Sequence, residues 1–206
     1  MPGSSLATMS RRLGLLGGTF DPPHLGHLVV AECARVALGR AEVRLRVAGA
    51  PGMKGATVTT AADRLRLAEA AVSGDRHLRV DDREVRRDGP TFTADTLVEL
   101  RAEEPDAELF FVLGEDAAAG LPRWERVEEA FAKATFVVVT RPGHAAPAAD
   151  VLPAAVVHLE VPQLEVSSTE LRRRFGAGLA TRYLVPDAVD AAVRELGLYG
   201  AAATAP

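Results

Sequence analysis

The sequence predicts an α/β fold built on a doubly wound, mostly parallel sheet with helices on both faces. Short β-rich runs alternate with longer helix-like segments along the chain, as in sheets whose parallel strands are joined by helical crossovers. The first run is followed at once by a glycine-rich turn and a helical pattern. At 206 residues and 48% hydrophobic content, the chain is long enough to bury one substantial core.

Six segments are predicted to be strands because they are short, apolar and bounded by turn residues. They cover residues 13–16, 43–47, 77–80, 109–113, 136–140 and 156–161. In a parallel sheet of this kind, ligands bind at the carboxyl ends of the strands. The turns that follow the strands are therefore where a site is expected.

Helices are predicted between the strands. A helical pattern covers residues 28–38 and stops at Gly39. Three further helix starts are marked by hydroxyl residues that can cap a first turn, namely Thr60, Thr93 and Ser167. Pro105 closes the second of these helices.

The end of the chain and the domain organisation follow from turn and linker signals. Residues 141–153 are rich in proline, glycine and alanine, so they are expected to form a loop. The last helix is expected to have Pro186 at its first position and to end at Gly197. We expect a single domain over residues 11–200, with flexible termini at residues 1–10 and 201–206.

The composition excludes several classes of function. A net charge of −4 provides no global basic field for nucleic acid or for an acidic membrane surface. Cys33 is the only cysteine, which excludes a disulfide framework and a cysteine-based zinc site. No run approaches the roughly 18 apolar residues of a membrane helix, and the first residues lack a secretory signal, so we expect a cytoplasmic protein.

The most informative segment reads GGTFDPPHLGH and begins at Gly17. Gly17 and Gly18 allow a tight turn against a ligand, while His24 and His27 lie three apart at a helix start. Unpaired N–H groups there attract phosphate, the imidazoles add donors that titrate near neutral pH, and Gly26 leaves the backbone accessible. This layout is typical of a phosphate site. The alternative is a plain strand-turn-helix whose histidines cap or pack.

A second cluster lies near the carboxyl end, where Ser167, Ser168 and Thr169 begin a predicted helix and Arg172 follows one turn later. Hydroxyls, helix N–H groups and a guanidinium fork can together hold phosphate oxygens. The alternative is an ordinary capping box between Ser167 and Glu170 with a solvated arginine face. If this cluster and the two histidines hold one polyphosphate, they must meet in the fold.

Two features lie between these clusters. Gly114 and Asp116 follow a predicted strand, where a carboxylate can accept hydrogen bonds from sugar hydroxyls, and the alternative is a helix N-cap. Trp124 is the only tryptophan. Its indole can stack on a planar cationic ring, and the alternative is an ordinary core tryptophan.

The segment at Gly17 resembles the G-G-T-F-D-P-x-H-x-G-H motif of the HxGH nucleotidyltransferases, and residues 166–172 resemble their I-S-S-T-x-I-R motif, with Val166 and Leu171 replacing the isoleucines. Among these enzymes the chain is most similar to the bacterial nicotinate-nucleotide adenylyltransferases. The resemblance implies a Rossmann-like fold. It also implies the transfer of AMP from ATP to nicotinate mononucleotide, which gives deamido-NAD and pyrophosphate.

The resemblance assigns roles to individual residues. The catalytic positions are His24, His27, Lys54 and Arg172. ATP is expected to contact Gly17, Gly18, Thr19, Phe20, Gly26, Gly114, Asp116, Ser167, Ser168 and Thr169. The acceptor is expected to contact Thr91, Phe92, Thr93 and Trp124. Residues 89–97 resemble the family's G-P-S-Y-T-x-D-T-L segment, with Phe92 in place of tyrosine.

The chain departs from the family pattern most clearly at Pro51-Gly52-Met53-Lys54, where the family has P-P-H-K or P-W-Q-K. Lys54 keeps a cation for the phosphates, but the residues beside the acceptor differ. Two alternatives therefore stay open, a related nucleotidyltransferase with another phosphate acceptor and a noncatalytic nucleotide-binding module. We expect ATP with Mg²⁺ and nicotinate mononucleotide as partners, no metal held by protein side chains, no nucleic acid and no membrane. A homo-oligomer is compatible with the sequence.

Overall fold

The structure is a computed structural model, and it describes residues 10–49, 57–140, 156–162 and 164–202. Six strands form one sheet: β1 (Arg12–Gly18), β2 (Glu42–Val47), β3 (Leu78–Asp81), β4 (Glu108–Gly114), β5 (Thr135–Thr140) and β6 (Val156–Glu160). Their order is β3-β2-β1-β4-β5-β6, and every adjacent pair is parallel. All six predicted strands are confirmed, and this order is that of a doubly wound Rossmann-like sheet.

Eight α-helices lie in the described ranges: α1 (Leu25–Ala37), α2 (Ala61–Ala71), α3 (Arg83–Arg86), α4 (Thr93–Glu103), α5 (Glu115–Ala118), α6 (Val127–Phe131), α7 (Ser168–Gly176) and α8 (Asp187–Glu195). Two 3₁₀ turns, Leu121–Arg123 and Leu198–Gly200, complete the described elements. None of the helices in these ranges has the length and apolarity to cross a membrane.

The sheet is covered on both faces because its strands are apolar on both faces. In β1, Leu13 and Leu15 face a core built with α4, α5 and α6, while Leu16 faces the core under α1 and α2. A third cluster joins α2 to α7 and α8. The carboxyl-terminal helices are thereby brought to the same side of the sheet as α1.

The helix starts agree with the sequence in part. The side chains of Thr60 and Ser167 cap α2 and α7, accepting hydrogen bonds from the backbones of Asp63 and Glu170. The expectation that Thr93 caps its helix is wrong, because extended Phe92 is the N-cap and Thr93 is the first helical residue.

The first helix begins one turn before its predicted start, and the last helix begins one residue after its predicted start. α1 starts at Leu25, ahead of the apolar pattern. The pattern missed the first turn because that turn contains polar His27, which does not count in an apolar periodicity. Pro186 is the N-cap of α8 and not its first residue. The predicted loop at residues 141–153 lies outside the described residues.

Both predicted flexible termini border on ordered contacts. Ser10 donates a hydrogen bond to Glu108 at 2.6 Å, and Ala201 packs into the third core cluster. The remaining residues of the two termini, apart from Ala202, lie outside the described ranges.

Candidate active site

The turn after β1 is built by glycine and an unusual phenylalanine conformation. Phe20 is left-handed, with a φ of 55°, and its side chain is 1% exposed. A Cβ on Gly18 would lie 2.6 Å from the Phe20 ring, so only glycine lets the ring fold back beneath the turn. There the ring contacts His27 edge-on at a centroid distance of 5.0 Å. Phe20 therefore supports His27 from below, and its contact with ATP stays a prediction.

The two histidines form a stacked pair at the start of α1. His24 is the N-cap, and its backbone N–H donates to Nδ1 of His27 at 3.2 Å. The rings stack at a centroid distance of 3.7 Å. Because Nδ1 of His27 accepts a hydrogen bond, the neutral ring carries its proton on Nε2.

His24 is neutral at pH 7 in the free protein. Its side chain is buried, and this burial lowers the pKa of His24 to about 4. The expectation that both imidazoles titrate near neutral pH is therefore wrong for His24.

Gly26 serves the packing of the histidine pair. A Cβ at this position would lie 3.0 Å from Nδ1 of His24 and 3.3 Å from the side chain of Val166. The space beside Gly26 is thus filled by protein, and the expected approach of a polyphosphate to its backbone stays a prediction.

The hydroxyl and arginine cluster docks directly on the histidine turn. Ser168 donates through Oγ to the carbonyl of Pro22 at 2.8 Å, and Arg172 donates through Nη1 to the carbonyl of Asp21 at 2.8 Å. A second Arg172 nitrogen reaches the Thr169 hydroxyl at 3.2 Å. The meeting of the two clusters, which the phosphate interpretation requires, is confirmed.

The carboxylate of Asp21 anchors this turn from the opposite side. It accepts hydrogen bonds from the Thr59 hydroxyl at 2.8 Å, the Val58 backbone at 2.9 Å and the Tyr199 hydroxyl at 2.7 Å. Burial and the neighbouring Asp21 raise the pKa of Tyr199, which keeps it a hydrogen-bond donor. Sequence reasoning missed Tyr199, since it lies in a short segment after the last helix.

Arg64 joins the turns after β1 and β2. Arg64 as a whole is 1% exposed, and its guanidinium donates to the carbonyls of Thr19, Ala48 and Gly49 at 3.0, 2.6 and 2.8 Å. Sequence reasoning missed this residue as well. The sequence signal for its burial is its spacing, because Arg64 lies three residues before Leu67 and four before Ala68, on the buried face of α2.

A cavity of about 380 Å³ opens beside the histidine turn, at the carboxyl ends of β1, β2 and β4. The four residues predicted to contact the acceptor all line it, namely Thr91, Phe92, Thr93 and Trp124. Gly17, Gly18 and Thr19, which precede the histidines in the turn, also line it, whereas His24 and His27 do not. Trp124 is half-buried and meets the Phe111 ring edge-on at 5.9 Å. The arrangement provides an aromatic cavity beside a phosphate-binding turn.

The remaining predicted residues are less informative. Gly114 is the N-cap of α5 and Asp116 lies in its first turn, so the alternative that Asp116 is an N-cap is wrong. Both residues are exposed at the carboxyl end of β4, and their contact with ATP stays a prediction. Lys54 lies outside the described residues. Within the described ranges, no group of three or more His, Cys, Asp or Glu side chains is arranged to hold a metal ion.

Comparison with known proteins agrees with this geometry. Residues 15–174 match the family model described as Cytidylyltransferase-like. A curated relative from Paenarthrobacter aurescens, named "Probable nicotinate-nucleotide adenylyltransferase", is 44% identical over 191 residues, covering 92% of each chain. A relative of the same name from Dehalococcoides mccartyi is 41% identical over 200 residues, covering 93% of this chain and 98% of its own.

A solved structure supports the fold. The nicotinic acid mononucleotide adenylyltransferase of Plasmodium falciparum, complexed with NaAD, aligns with a TM-score of 0.73 at 16% identity, covering 92% of this chain and 98% of its own. Two histidines at a helix start, a docked arginine and an aromatic cavity thus occur on a nucleotidyltransferase fold. With relatives above 40% identity over nearly its whole length, this chain belongs to the nicotinate-nucleotide adenylyltransferase family.

Proposed function

We propose that this chain transfers AMP from ATP to nicotinate mononucleotide by direct in-line displacement. A 5′-phosphate oxygen of the acceptor bonds to the α-phosphorus of ATP, the bond from that phosphorus to the bridging oxygen breaks, and pyrophosphate leaves with the electron pair. The observation that carries the proposal is the docking of Ser168 and Arg172 on the turn that holds His24 and His27, beside the aromatic cavity. Such a reaction depends on positioning and charge neutralisation, without a protein nucleophile.

The histidine pair would act on the triphosphate. His27 offers its Nε2 proton as a donor because its Nδ1 is held by the backbone of His24. His24 is neutral when the site is empty, and an approaching polyphosphate favours its protonated form. Binding of ATP would therefore place new positive charge where negative charge develops.

The second cluster would hold the leaving group. Arg172 uses two of its five N–H donors on Asp21 and Thr169, which leaves donors for phosphate oxygens. The first N–H groups of α7 add the positive end of the helix dipole. Lys54 is proposed to contribute a further cation.

The aromatic cavity would receive the nicotinate ring. Trp124 stacks on the cationic pyridine, and the N-terminus of α4, beside Thr91, Phe92 and Thr93, faces its carboxylate. The ribose of ATP would meet Asp116. These assignments rest on the lining of the cavity and on the family motifs.

Mg²⁺ would enter as part of the ATP substrate and neutralise phosphate charge there. The residues present fit an ion carried by phosphates, because the carboxylate of Asp21 is already used by Thr59, Val58 and Tyr199. We further propose that the protein works in the cytoplasm, without nucleic acid or membrane as a partner. A homo-oligomeric state stays a prediction.

A panel of mononucleotides tests the proposal. The full-length protein is mixed with ATP and Mg²⁺ together with nicotinate mononucleotide, nicotinamide mononucleotide or phosphopantetheine, and both pyrophosphate and the mass of the dinucleotide are measured. We expect deamido-NAD and pyrophosphate in equal amounts. Pyrophosphate release with phosphopantetheine alone would assign another acceptor, and ATP binding without any release would indicate a noncatalytic module.

A further inference from the structure

Arg46 and Glu84 form a buried ion pair in the wall of the acceptor cavity. Arg46 is 9% exposed and Glu84 is 1% exposed, and both line the cavity. Nη1 of Arg46 donates to Oε1 of Glu84, which also accepts from the Thr96 hydroxyl at 2.8 Å. Neither charge has a role in the mechanism proposed above. Burying two charges beside a ligand cavity costs desolvation free energy, so a functional role for the pair is expected.

Nη2 is the nitrogen of the Arg46 guanidinium that lies beside the turn after β1. Nε of Arg46 is buried and, among the described residues, has no hydrogen-bond partner. A Cβ on Gly17 would lie 2.8 Å from Nη2, so glycine at this position leaves Nη2 its place beside the turn. A guanidinium N–H₂ group such as Nη2 forms a charge-assisted hydrogen bond to a carboxylate oxygen.

Arg46 also lies next to the aromatic wall that is proposed to stack on the pyridine. Its guanidinium carbon is 5.4 Å from the centroid of Phe111, the ring that Trp124 meets edge-on. Phe111 thus contacts both Trp124 and Arg46, so a flat ring that stacks on Trp124 lies close to the Arg46 cation.

The pair carries full charges. Burial raises the pKa of Glu84, but the Arg46 guanidinium and the hydroxyls of Thr96 and Thr91 outweigh it and hold that pKa below its usual range. Glu84 is thus ionised and keeps the Arg46 fork in one orientation.

We infer that Arg46 is a specificity-determining residue that donates through Nη2 to the ring carboxylate of the acceptor, in addition to the N-terminus of α4 that faces this carboxylate, with Glu84 as the residue that positions it. This inference rests on the proposed function. The amide of a nicotinamide ring carries no negative charge to pair with this cation, and its N–H₂ group would set donor against donor if it faced Nη2. Arg46 therefore selects the acid over the amide.

The test compares two acceptors in matched variants. Arg46→Met should lower the ratio of kcat/KM for nicotinate mononucleotide to kcat/KM for nicotinamide mononucleotide by about 10- to 100-fold, the effect of losing a hydrogen bond to a charged group. The change should lie in KM for the acid, while KM for ATP stays constant. Arg44→Met is the control, because Arg44 lies two residues earlier on the same face of β2 and pairs with Glu42 and Glu104 outside the cavity.

Two further variants keep the test decisive if Arg46→Met does not fold. Arg46→Lys keeps the charge without the fork and should retain part of the preference for the acid. Glu84→Gln removes the carboxylate that orients Arg46 and should therefore lower the preference for the acid, although Arg46 itself is kept. A purely structural ion pair predicts instead that all three variants lower both acceptors equally, and that result overturns the inference.

Binding measurements separate this inference from the proposed function. Calorimetric titration of the wild-type protein with each mononucleotide, without ATP, reports the acid preference whether or not AMP is transferred. If the protein releases no pyrophosphate and still prefers the acid, with the preference lost in Arg46→Met, that result would contradict the proposed function alone. A wild-type protein that binds the amide as tightly as the acid would contradict the role of Arg46.

Discussion

Arg172 donates a hydrogen bond to the backbone carbonyl of Asp21 at 2.8 Å, across 151 residues of sequence. The bond fixes the first turns of α7 against the turn between β1 and α1. Together with the bond from Ser168 to the carbonyl of Pro22, it brings the two predicted phosphate-binding clusters into contact.

Replacing Arg172 by methionine should raise KM for ATP by about 10- to 100-fold, because a charged hydrogen-bond donor to the phosphates is lost. Arg173→Met is the matched control, since Arg173 is exposed and pairs with Glu170. Steady-state kinetics with varied ATP measure both variants. Equal changes in the two would refute a specific role for Arg172.

Replacing His27 by alanine should lower kcat by about two to three orders of magnitude, by analogy with the loss of a preorganised donor to a developing charge. His158→Ala is the control, because His158 is exposed on β6. Pyrophosphate release at saturating substrates is the measurement. A folded His27→Ala protein with near-normal kcat would show that the role assigned to His27 is wrong.

Replacing Trp124 by alanine should weaken acceptor binding by about 2- to 30-fold, the range expected for the loss of a cation–π contact, with little change in ATP affinity. Phe131→Leu perturbs the same core without touching the cavity, because Phe131 packs on Phe136 at 4.0 Å. Equal losses of ATP and acceptor affinity in Trp124→Ala would indicate a packing role only.

The buried His24 should make stability depend on pH between about 6.5 and 4. In this window the unfolded histidine binds a proton and the folded one, with a pKa of about 4, does not, so stability falls as the pH falls. The loss is of order 3 kcal/mol from the size of this shift. The free energy of unfolding, measured with urea at several pH values, should fall less steeply with falling pH in His24→Gln than in the wild-type protein. The same pH dependence in both proteins would mean that His24 does not titrate in this way.

Removing the Tyr199 hydroxyl should destabilise the protein by about 1 kcal/mol, because Asp21 loses one of its hydrogen-bond donors. The chain offers a close control, since Tyr183, the only other tyrosine, is 74% exposed. Urea unfolding of Tyr199→Phe and Tyr183→Phe is the comparison. The same stability for both variants would show that the bond to Asp21 contributes nothing.

The sheet and the histidine turn were predictable because their signals are local. An apolar, β-branched run such as TFVVVT in β5 is typical of a buried parallel strand, and the spacing of His24 and His27 places both at one helix start. The meeting of the histidines with Arg172 was predictable only through a second motif with the same ligand chemistry.

Sequence reasoning missed Arg46, Glu84 and Arg64 for a common reason. Each is a charge at a buried position, and charges in a sequence are ordinarily assigned to the surface. Their partners are distant backbone carbonyls or side chains on other elements, as in the Arg46 to Glu84 pair, which spans 38 residues. The structure shows what compensates them: Glu84 for Arg46, and the carbonyls of the turns after β1 and β2 for Arg64.

The docking of α7 on the turn after β1 has a consequence for synthesis on the ribosome. A nascent chain that has emerged as far as β6 contains every strand of the sheet, yet it lacks Ser168, Arg172 and Tyr199. Such an intermediate can complete its β-sheet while the nucleotide grip is still missing. Catalytic competence is thus deferred until the final stretch of translation, and a product terminated after β6 would lack both the groups proposed to hold the triphosphate and the helices that cover α2.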